Sequence, residues 1–282
     1  MSEVASIRYT ALMLFDVPAV VIANTKLSHD YNVLTLAAPD IAQAATPGQF
    51  LMVKAAASHD PLLRRPFSVF EVLRDEHGRG VGVSILIKAV GASTRLLYEA
   101  GVGDTVACLG PLGRPFTLLD PPAEAWMVAG GVGLAPFWTL TEALIARGVK
   151  TTLFYGARRA EELFYLDFFT ERGVALVLTT EDGSAGERGR VIAPLARALD
   201  ERPEDAPVTI YACGPEGMLE AVAHVAATHA RPCEVSVERI MGCGMGGCYS
   251  CVVPMKDSSG AVHHVRSCIA GPVLDAAQIA WA

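Results

Sequence analysis

Four cysteines near the carboxyl end of the chain limit the possible folds more than any other feature of its sequence. Their spacing is C-x4-C-x2-C-x16-C, and the residues concerned are Cys243, Cys248, Cys251 and Cys268. This spacing is typical of loops in which four thiolates hold a 2Fe-2S cluster. The first three lie in GCGMGGCYSC, where glycines accept positive φ angles and let backbone amides approach the sulfur atoms. The spacing therefore favours a 2Fe-2S centre, with a four-thiolate zinc site or disulfides as the alternatives.

Length and composition indicate a globular chain of more than one domain. Its 282 residues are enough for two or three compact units. The sequence contains no apolar run of about 18 residues, the length that a membrane-spanning helix needs. The N-terminus lacks the pattern of a signal peptide. A net charge of -7 without basic clusters argues against binding to nucleic acid or to an anionic membrane. We therefore expect a cytoplasmic protein in which cysteines serve metal or redox chemistry ahead of disulfides. Cys108 and Cys233 lie apart from the group and are most simply buried small hydrophobes.

Hydrophobic patterning divides the chain into three segments. Residues 1–119 contain six β-type runs, including RRPFSVFEVL, which suffice for a small antiparallel barrel. Residues 120–229 alternate strand runs with helical patterns such as AEELFYLDFFTERG, which predicts an α/β domain with a parallel sheet. Residues 230–282 carry the grouped cysteines, with His263 and His264 expected on the surface of a hairpin. The predicted fold class is therefore a β barrel plus α/β, followed by a small 2Fe-2S module.

Two stretches in the first segment have the chemistry to bind a flavin dinucleotide. RRPFSVF supplies an arginine fork for a pyrophosphate, with an aromatic ring and a hydroxyl close behind it. GASTRLL places Gly91, Ser93 and Thr94 at the start of a helix, where free amides favour an anion. Alone, the arginine pair is more often solvated, and the second stretch is equally well explained as an ordinary helix cap.

Two glycine turns in the second segment could approach a nucleotide. VAGGVGLAPF ends a strand and starts a helix, so that its backbone amides can reach a pyrophosphate, although it is not the G-x-G-x-x-G fingerprint. YACGPEGML repeats this layout at a later strand, with Cys213 and Gly214 at the edge where parallel sheets bind ligands. Either turn alone could be purely architectural.

In this order and at this spacing, RRPFS, AGGVGLAP and CGPEGM resemble the ferredoxin reductase superfamily. Its members hold FAD in a barrel and a nicotinamide nucleotide in the following α/β domain. ERIMGCGMGGCYSCVV and SCIAGPVLDAAQIAW are similar to one branch, the electron-transfer subunits of bacterial NAD-dependent dihydroorotate dehydrogenase. The resemblance covers essentially the whole chain.

The resemblance implies roles for the matching residues. Arg65 would contact the flavin pyrophosphate and Ser68 the flavin ring, while Phe67 replaces a tyrosine common in the superfamily. Cys213 would lie at the catalytic position, where nicotinamide meets flavin, and TTEDGSAGERG would belong to the nucleotide side. The residues implied at the FAD are Arg65, Pro66, Phe67, Ser68, Lys88, Gly91, Ser93 and Thr94. Those implied at the nicotinamide nucleotide are Gly130, Gly131, Gly133, Ala135, Pro136 and Gly214.

The implied activity is that of an NADH-dependent flavin iron-sulfur oxidoreductase subunit. NADH would give a hydride to FAD, and the 2Fe-2S cluster would take electrons one at a time, so no acid or base is required. The partner would be an FMN-containing dihydroorotate dehydrogenase catalytic subunit of pyrimidine (UMP) biosynthesis, in a heterotetramer. YGARRAEELFY has arginines but no lysine beside Tyr165, which favours NADH over NADPH.

Two alternatives share these motifs. A flavin and iron-sulfur subunit of an NADPH:ferredoxin oxidoreductase or a sulfide dehydrogenase would differ mainly in its partner. A non-catalytic redox-sensing module, with the cluster or with zinc, would not be reduced by NADH.

Overall fold

The computed structural model of the chain describes residues 14–55 and 60–281, which form two large sheets and one hairpin. The first sheet is antiparallel and has seven strands, in the spatial order β4-β3-β7-β1-β2-β6-β5. Its strands are β1 Phe15–Lys26, β2 Tyr31–Ala37, β3 Phe50–Lys54, β4 Arg65–Ser68, β5 Glu71–Arg74, β6 Gly80–Lys88 and β7 Thr105–Leu112. Two short helices cover it, α1 Pro39–Ala44 and α2 Ala92–Glu99.

The expected single strand RRPFSVFEVL is in fact two strands at opposite edges of this sheet. Strand β4 pairs with β3, whereas β5 pairs with β6. Between them, the amide of Val69 donates to the carbonyl of Gln49 beside β3, and the amide of Phe70 donates to Ser84 of β6. Both side chains are buried, so the chain crosses the core here and curls the sheet into a half-barrel.

The second sheet is parallel except for its last strand, as the alternating pattern predicts. Its order is β11-β10-β9-β8-β12-β13-β16. The strands are β8 Glu124–Gly130, β9 Lys150–Ala157, β10 Ala175–Thr180, β11 Glu187–Arg188, β12 Val208–Cys213, β13 Cys233–Ser236 and β16 Val273–Asp275. The crossover helices are α3 Ala135–Ala146, α4 Leu166–Glu171, α5 Ile192–Asp200 and α6 Glu216–Thr228.

Helix α4 is shorter than the pattern AEELFYLDFFTERG predicts. Its first residues form a separate 3-10 turn at Ala160–Glu162, and Tyr165 takes a left-handed φ of 58° just before the helix begins. The Tyr165 ring lies 5.1 Å from Phe70 and 5.4 Å from Trp138, so it joins the half-barrel to α3. No helix in the described ranges is both long and apolar enough to cross a bilayer.

The carboxyl segment is built into both sheets. Strand β13, which the sequence analysis groups with the cysteines, pairs with β12, and β16 adds an antiparallel strand to β13. Between them, β14 Val252–Lys256 and β15 Val262–Arg266 form a hairpin, followed by α7 Ser267–Ala270. As predicted, His263 and His264 are exposed on this hairpin, and Cys108 and Cys233 are buried elsewhere.

The end of α2 is bound to the half-barrel by one side chain. Nδ2 of Asn24 donates to the carbonyl oxygens of Tyr98 at 2.9 Å and Ala100 at 2.7 Å. Oδ1 of Asn24 accepts a 2.7 Å hydrogen bond from Nδ2 of the buried Asn32 side chain. These bonds satisfy carbonyl groups that the end of a helix otherwise leaves unpaired.

We expect Asn24→Ala to lower the free energy of unfolding by about 2 kcal/mol, because it leaves these carbonyls and the Asn32 amide without partners. Thermal unfolding followed by circular dichroism measures the loss. Thr25→Ala, at the next and exposed position, serves as the control and should change stability by less than about 0.5 kcal/mol. Equal stability of the two variants would contradict this account.

Candidate functional site

A cleft of about 520 Å³ lies at the carboxyl edge of the parallel sheet, next to the half-barrel. Gly130 and Gly131, after β8, and Pro215, after β12, contribute to its lining. Tyr31 and Lys88 line it from the half-barrel. Because parallel sheets bind ligands at this edge, the cleft is the natural place for a nucleotide.

The two glycine turns meet backbone to backbone beside the cleft. A Cβ atom added at Gly133 would overlap the carbonyl oxygen of Cys213 and lie 2.7 Å from the amide nitrogen of Gly214. A Cβ at Gly214, where φ is 152°, would lie 3.1 Å from the nitrogen of Gly130. At Gly133 the neighbouring atoms are backbone and cannot rotate away, so only glycine fits. At Gly214 the positive φ favours glycine, because its nearest neighbour is the flexible end of Met218.

The residues of the first glycine turn are divided between two places. Gly130 and Gly131 line the cleft, whereas Gly133, Ala135 and Pro136 are buried behind it at the start of α3. Gly133, Ala135 and Pro136 therefore shape the turn and do not form the cleft wall.

Cys213 is 4% exposed and does not contribute to the wall of the cleft. Burial, followed by the charge of Glu238, raises the pKa of its thiol far above the ordinary value. At neutral pH the group is an uncharged thiol, so it cannot act as a base. This state agrees with a hydride transfer that needs positioning and no proton transfer.

Polar groups at the strand ends suit a nicotinamide nucleotide. The buried hydroxyl of Thr179 has no hydrogen-bond partner among the described residues, although it lines the cleft. Buried hydroxyls are rarely left unpaired, so this group fits a site that a ligand completes. Lys88 lies 3.8 Å from Glu162 and 4.6 Å from the Tyr31 ring centroid, across the boundary between half-barrel and parallel sheet.

Sequence reasoning missed several residues of the cleft wall, among them Tyr31 and Glu238. Glu238 begins the stretch ERIMGCGMGGCYSCVV, but nothing in that stretch assigns it to the cleft. The register that pairs Tyr31 with Lys88 is a property of the folded sheet. No local signal could have identified either of them.

The arginines of the proposed flavin strand differ in their partners. Arg64 forms a 2.6 Å ion pair with Asp16. Among the described residues, Arg65 donates to the carbonyls of Leu63 and Arg64, at 3.2 and 3.1 Å, and has no carboxylate partner. Such a guanidinium suits an anionic ligand, and the pyrophosphate contact stays a prediction. Pro66, Phe67 and Ser68 are half-buried in β4.

At the start of α2, the two hydroxyl residues do different things. Oγ1 of Thr94 accepts from the amides of Val90 and Gly91, at 3.0 and 2.9 Å, and so acts as a helix cap. The Ser93 hydroxyl is buried and has no partner in the described part of the chain. Thr94 is therefore explained by an ordinary helix cap, whereas the unpaired hydroxyl of Ser93 fits a ligand-binding position.

The cysteine loop, residues 242–251, has the backbone that its glycines predict. Gly244 and Gly246 have φ angles of 74° and 80°, and Tyr249 also has a positive φ of 57°. The amide of Met245 donates to Sγ of Cys243 over 3.4 Å. The loop therefore does bring backbone amides to a cysteine sulfur.

The four grouped cysteines lie close enough to influence one another. Hydrogen bonding from Ser250, and then from Cys243, lowers the pKa of Cys248 to about 6. Burial, and then its neighbour Cys251, raises the pKa of Cys268 to about 12. In the described ranges, no three His, Cys, Asp or Glu side chains are arranged around a single metal position. Four neighbouring thiols at the predicted spacing, with a backbone amide donated to one sulfur, fit a 2Fe-2S cluster.

The cysteine loop packs directly on the half-barrel. Cys251 and Cys268 are 2% and 1% exposed and lie in an apolar cluster with Met52 and Leu112. A Cβ atom at Gly244 would lie 2.5 Å from Cγ of Met52. Met52 pairs with Pro66 of β4, so one strand separates the loop from the proposed flavin residues.

The fold and cleft define a class of proteins, the flavin-dependent oxidoreductases of nicotinamide nucleotides. The model for an oxidoreductase FAD-binding domain matches residues 18–116, and that for an oxidoreductase NAD-binding domain matches residues 127–224. The model for the iron-sulfur cluster binding domain of dihydroorotate dehydrogenase B matches residues 238–280. FAD, a nicotinamide nucleotide and an iron-sulfur cluster are thus the cofactors of the chain.

Similar proteins define the family. The dihydroorotate dehydrogenase B (NAD(+)) electron transfer subunit of Desulforamulus reducens is 38% identical over 86% of this chain and 90% of its own length. The electron transfer subunit of Geobacillus kaustophilus is 39% identical over 87% of this chain and 91% of its own length. The chain belongs to the family of dihydroorotate dehydrogenase B electron transfer subunits.

Solved structures confirm the predicted fold class. The structure of an NADH-dependent reduced ferredoxin-NADP oxidoreductase matches with a TM-score of 0.80 and 28% identity, over 94% of this chain and 90% of the other. The ferredoxin reductase of a carbazole 1,9a-dioxygenase matches in fold alone, with a TM-score of 0.67, 23% identity and coverages of 79% and 68%. The chain therefore has a ferredoxin reductase-like fold, with a half-barrel for FAD and a parallel sheet for NAD.

We expect Gly133→Ala to force the two glycine turns apart, since the added methyl group would meet backbone atoms of Cys213 and Gly214. The loss of stability should be at least about 2 kcal/mol, and NADH binding should weaken with it. Thermal unfolding and NADH titration measure the two effects. Gly217→Ala, where an added Cβ meets no atom within 4 Å, is the control for stability and should unfold at or above the wild-type temperature. A fully stable Gly133→Ala variant would contradict the close contact of the turns.

Proposed function

We propose that this chain moves electrons between NAD(H), FAD and a 2Fe-2S cluster, to or from the FMN-containing catalytic subunit of a dihydroorotate dehydrogenase in pyrimidine biosynthesis. One observation carries the proposal: the cysteine loop touches Met52 of β3, next to the strand that bears Arg65–Ser68. This contact brings the proposed cluster ligands and flavin residues into one packed unit. Electron transfer between two such centres requires this proximity.

The residues of the chain bind and orient the cofactors. When bound, the flavin and the cluster together supply the conversion between two-electron and one-electron transfer. We propose that Arg65 and Ser93 hold the flavin, and that Gly130 and Gly131 present amides to the nucleotide. Cys213, as a buried neutral thiol, would pack behind the reacting rings and exclude water.

We propose the remaining sequence-implied residues for the same sites. At the flavin these are Pro66, Phe67, Ser68, Lys88, Gly91 and Thr94; at the nucleotide turn they are Gly133, Ala135, Pro136 and Gly214. The proposed cluster ligands are Cys243, Cys248, Cys251 and Cys268. The division at residues 1–119, 120–229 and 230–282 is proposed as functional, with β13 and β16 joining the second sheet. None of the seven cysteines, all of which lie in the described ranges, forms a disulfide, which supports the proposal of a reducing compartment such as the cytoplasm.

We propose NADH as the preferred nucleotide. Glu181 lines the cleft just after β10, and Glu162 lines it from the turn after β9. Carboxylates accept hydrogen bonds from ribose hydroxyls and repel a 2'-phosphate. Lys88, Arg158 and Arg190 are also part of the wall, so the preference rests on the two carboxylates that can accept hydrogen bonds from the ribose hydroxyls.

Exposed apolar side chains on the cysteine loop and just before it support a docking site for the partner subunit. Ile240, Met245 and Tyr249 are 85%, 56% and 62% exposed. Large apolar side chains that are grouped on a surface mark protein interfaces. We propose that the catalytic subunit covers this face, in a heterotetramer of two subunits of each kind.

Anaerobic reduction with NADH tests the proposed electron path. We expect NADH to bleach the flavin and cluster absorption of the wild-type chain and to produce the electron paramagnetic resonance signal of a reduced 2Fe-2S cluster. Cys248→Ser should keep NADH-dependent reduction of artificial flavin acceptors but lose more than about 90% of orotate-coupled turnover with the partner, because one cluster ligand is removed. Cys108→Ala, a buried cysteine of β7 outside the group, should keep its iron.

Two results would contradict this function. A colourless chain that carries zinc would exclude the cluster. Equal loss of both activities in Cys248→Ser would show that the centre is needed for folding and is not a separate step of the path.

We expect Ile240→Asp to weaken co-purification with the catalytic subunit by at least about tenfold, since a charge would be buried in the interface. NADH-dependent reduction of artificial acceptors should remain. Val102→Asp is the matched control, because Val102 is 73% exposed on the half-barrel, away from the cysteine loop. If the native partner captured with the wild-type chain were another flavoprotein, the ferredoxin oxidoreductase alternative would replace the proposed assembly.

A further inference from the structure

One arginine joins the cysteine loop to the hairpin beside it. Nη1 of Arg266, the last residue of β15, donates to the carbonyl oxygen of Gly246 at 2.7 Å. The Arg266 guanidinium also covers the Tyr249 ring, 4.7 Å from its centroid. A Cβ atom at Gly246 would lie 3.3 Å from Nη1, so the glycine gives the guanidinium room to reach the backbone.

These two contacts hold the part of the loop that the half-barrel does not reach. Gly244 packs on Met52 and Leu112, which fixes the first part of the loop. Gly246 packs on Ile269 instead, and both Gly246 and Tyr249, on either side of Cys248, are contacted by Arg266. Tyr249 is 62% exposed and has a positive φ, which costs free energy unless surrounding contacts hold it.

The charge of Arg266 is not neutralised within the described part of the chain. Its hydrogen-bond acceptor is a backbone carbonyl, and its other partner is an aromatic ring. Other arginines of the chain form ion pairs, such as Arg239 with Glu216 at 2.7 Å. The side chain is half-buried, so solvent screens its charge only in part.

We propose that Arg266 is a positioning residue for the iron-sulfur centre, which holds the solvent-facing half of the cysteine loop and raises the reduction potential of the cluster. The inference rests on the proposed set of four cysteine ligands. Reduction adds one electron, and hence one negative charge, without making or breaking a bond. A fixed cation two residues before Cys268 stabilises the reduced state, because charge and hydrogen bonding around a cluster set its potential.

The test uses the full-length chain, purified anaerobically with its cofactors, and potentiometric titration monitored by electron paramagnetic resonance. We expect Arg266→Gln to shift the midpoint potential of the cluster to a more negative value, and this shift to shrink at high salt. Arg266→Lys keeps the charge but cannot both donate to the Gly246 carbonyl and cover the Tyr249 ring. It should therefore stay near the wild-type potential, with an altered spectrum and iron loss in air that is several-fold faster.

Two further variants separate the local effect from general ones. Tyr249→Ala keeps the charge and removes the ring, so its potential should stay near wild type while iron loss accelerates. Lys256→Gln removes an exposed cation from the same hairpin, at the end that pairs with Val262 and lies far from Arg266. Its potential and its iron retention should match those of the wild type.

Several results would overturn the inference. Wild-type potential, spectrum and iron retention in Arg266→Gln would do so, as would an equal shift in Lys256→Gln. If Arg266→Gln lost all iron, its cluster potential could not be measured, and Arg266→Lys would be the deciding variant. An iron-loaded Arg266→Lys variant whose midpoint potential lies far below that of the wild type would contradict the role of the charge. A wild-type chain without any 2Fe-2S signal would refute the proposed centre and this inference together, whereas an unchanged signal in Arg266→Gln would refute the inference alone.

Discussion

The docking of the carboxyl segment onto both sheets is the constraint on which the rest of the structure depends. After the fourth cysteine, the amide of Arg114 donates to Gly271 at 2.6 Å, and a Cβ at Gly113 would overlap Pro272. The next residues then form β16 on the edge of the parallel sheet. Because one short segment is bound to the half-barrel and to the parallel sheet in succession, the cysteine loop is held in place between them. The stretch GPV after the last cysteine thus has a packing role.

Each of the three cofactor regions contains a buried hydroxyl without a partner among the described residues. These are Ser93 at the start of α2, Thr179 at the end of β10 and Ser267 beside Cys268. An unpaired buried hydroxyl costs about 1 to 3 kcal/mol, and native proteins keep few of them. Five other buried side-chain atoms of the described residues also lack partners, on Asn32, Trp126, Trp138, Arg231 and Arg239, but the three hydroxyls of this set each lie in a cofactor region.

The sequence alone was informative where function depends on local backbone chemistry. Cysteine spacing and positive-φ glycines indicate a loop such as 242–251, and strands that end in glycines indicate the two turns at Gly130 and Gly214. It was uninformative where function depends on which strands become neighbours. Met52 touches the cysteine loop only because β3 pairs with β7, and the half-barrel closes because the chain crosses its core at Val69. These contacts join residues distant in sequence, so no local pattern records them.

The four grouped cysteines differ in their surroundings, and this difference would give the proposed centre two unlike sides. Cys251 and Cys268 are buried against Met52 and Leu112 on the half-barrel side, whereas Cys248 is exposed. A centre held by these residues would have buried thiolates on one side and the exposed Cys248 on the other. Electrons that arrive from the half-barrel would meet the buried side, and a partner docked on the exposed face would meet the other. The same asymmetry explains why a small terminal segment is sufficient, since only one side of the centre needs an apolar wall from the rest of the chain.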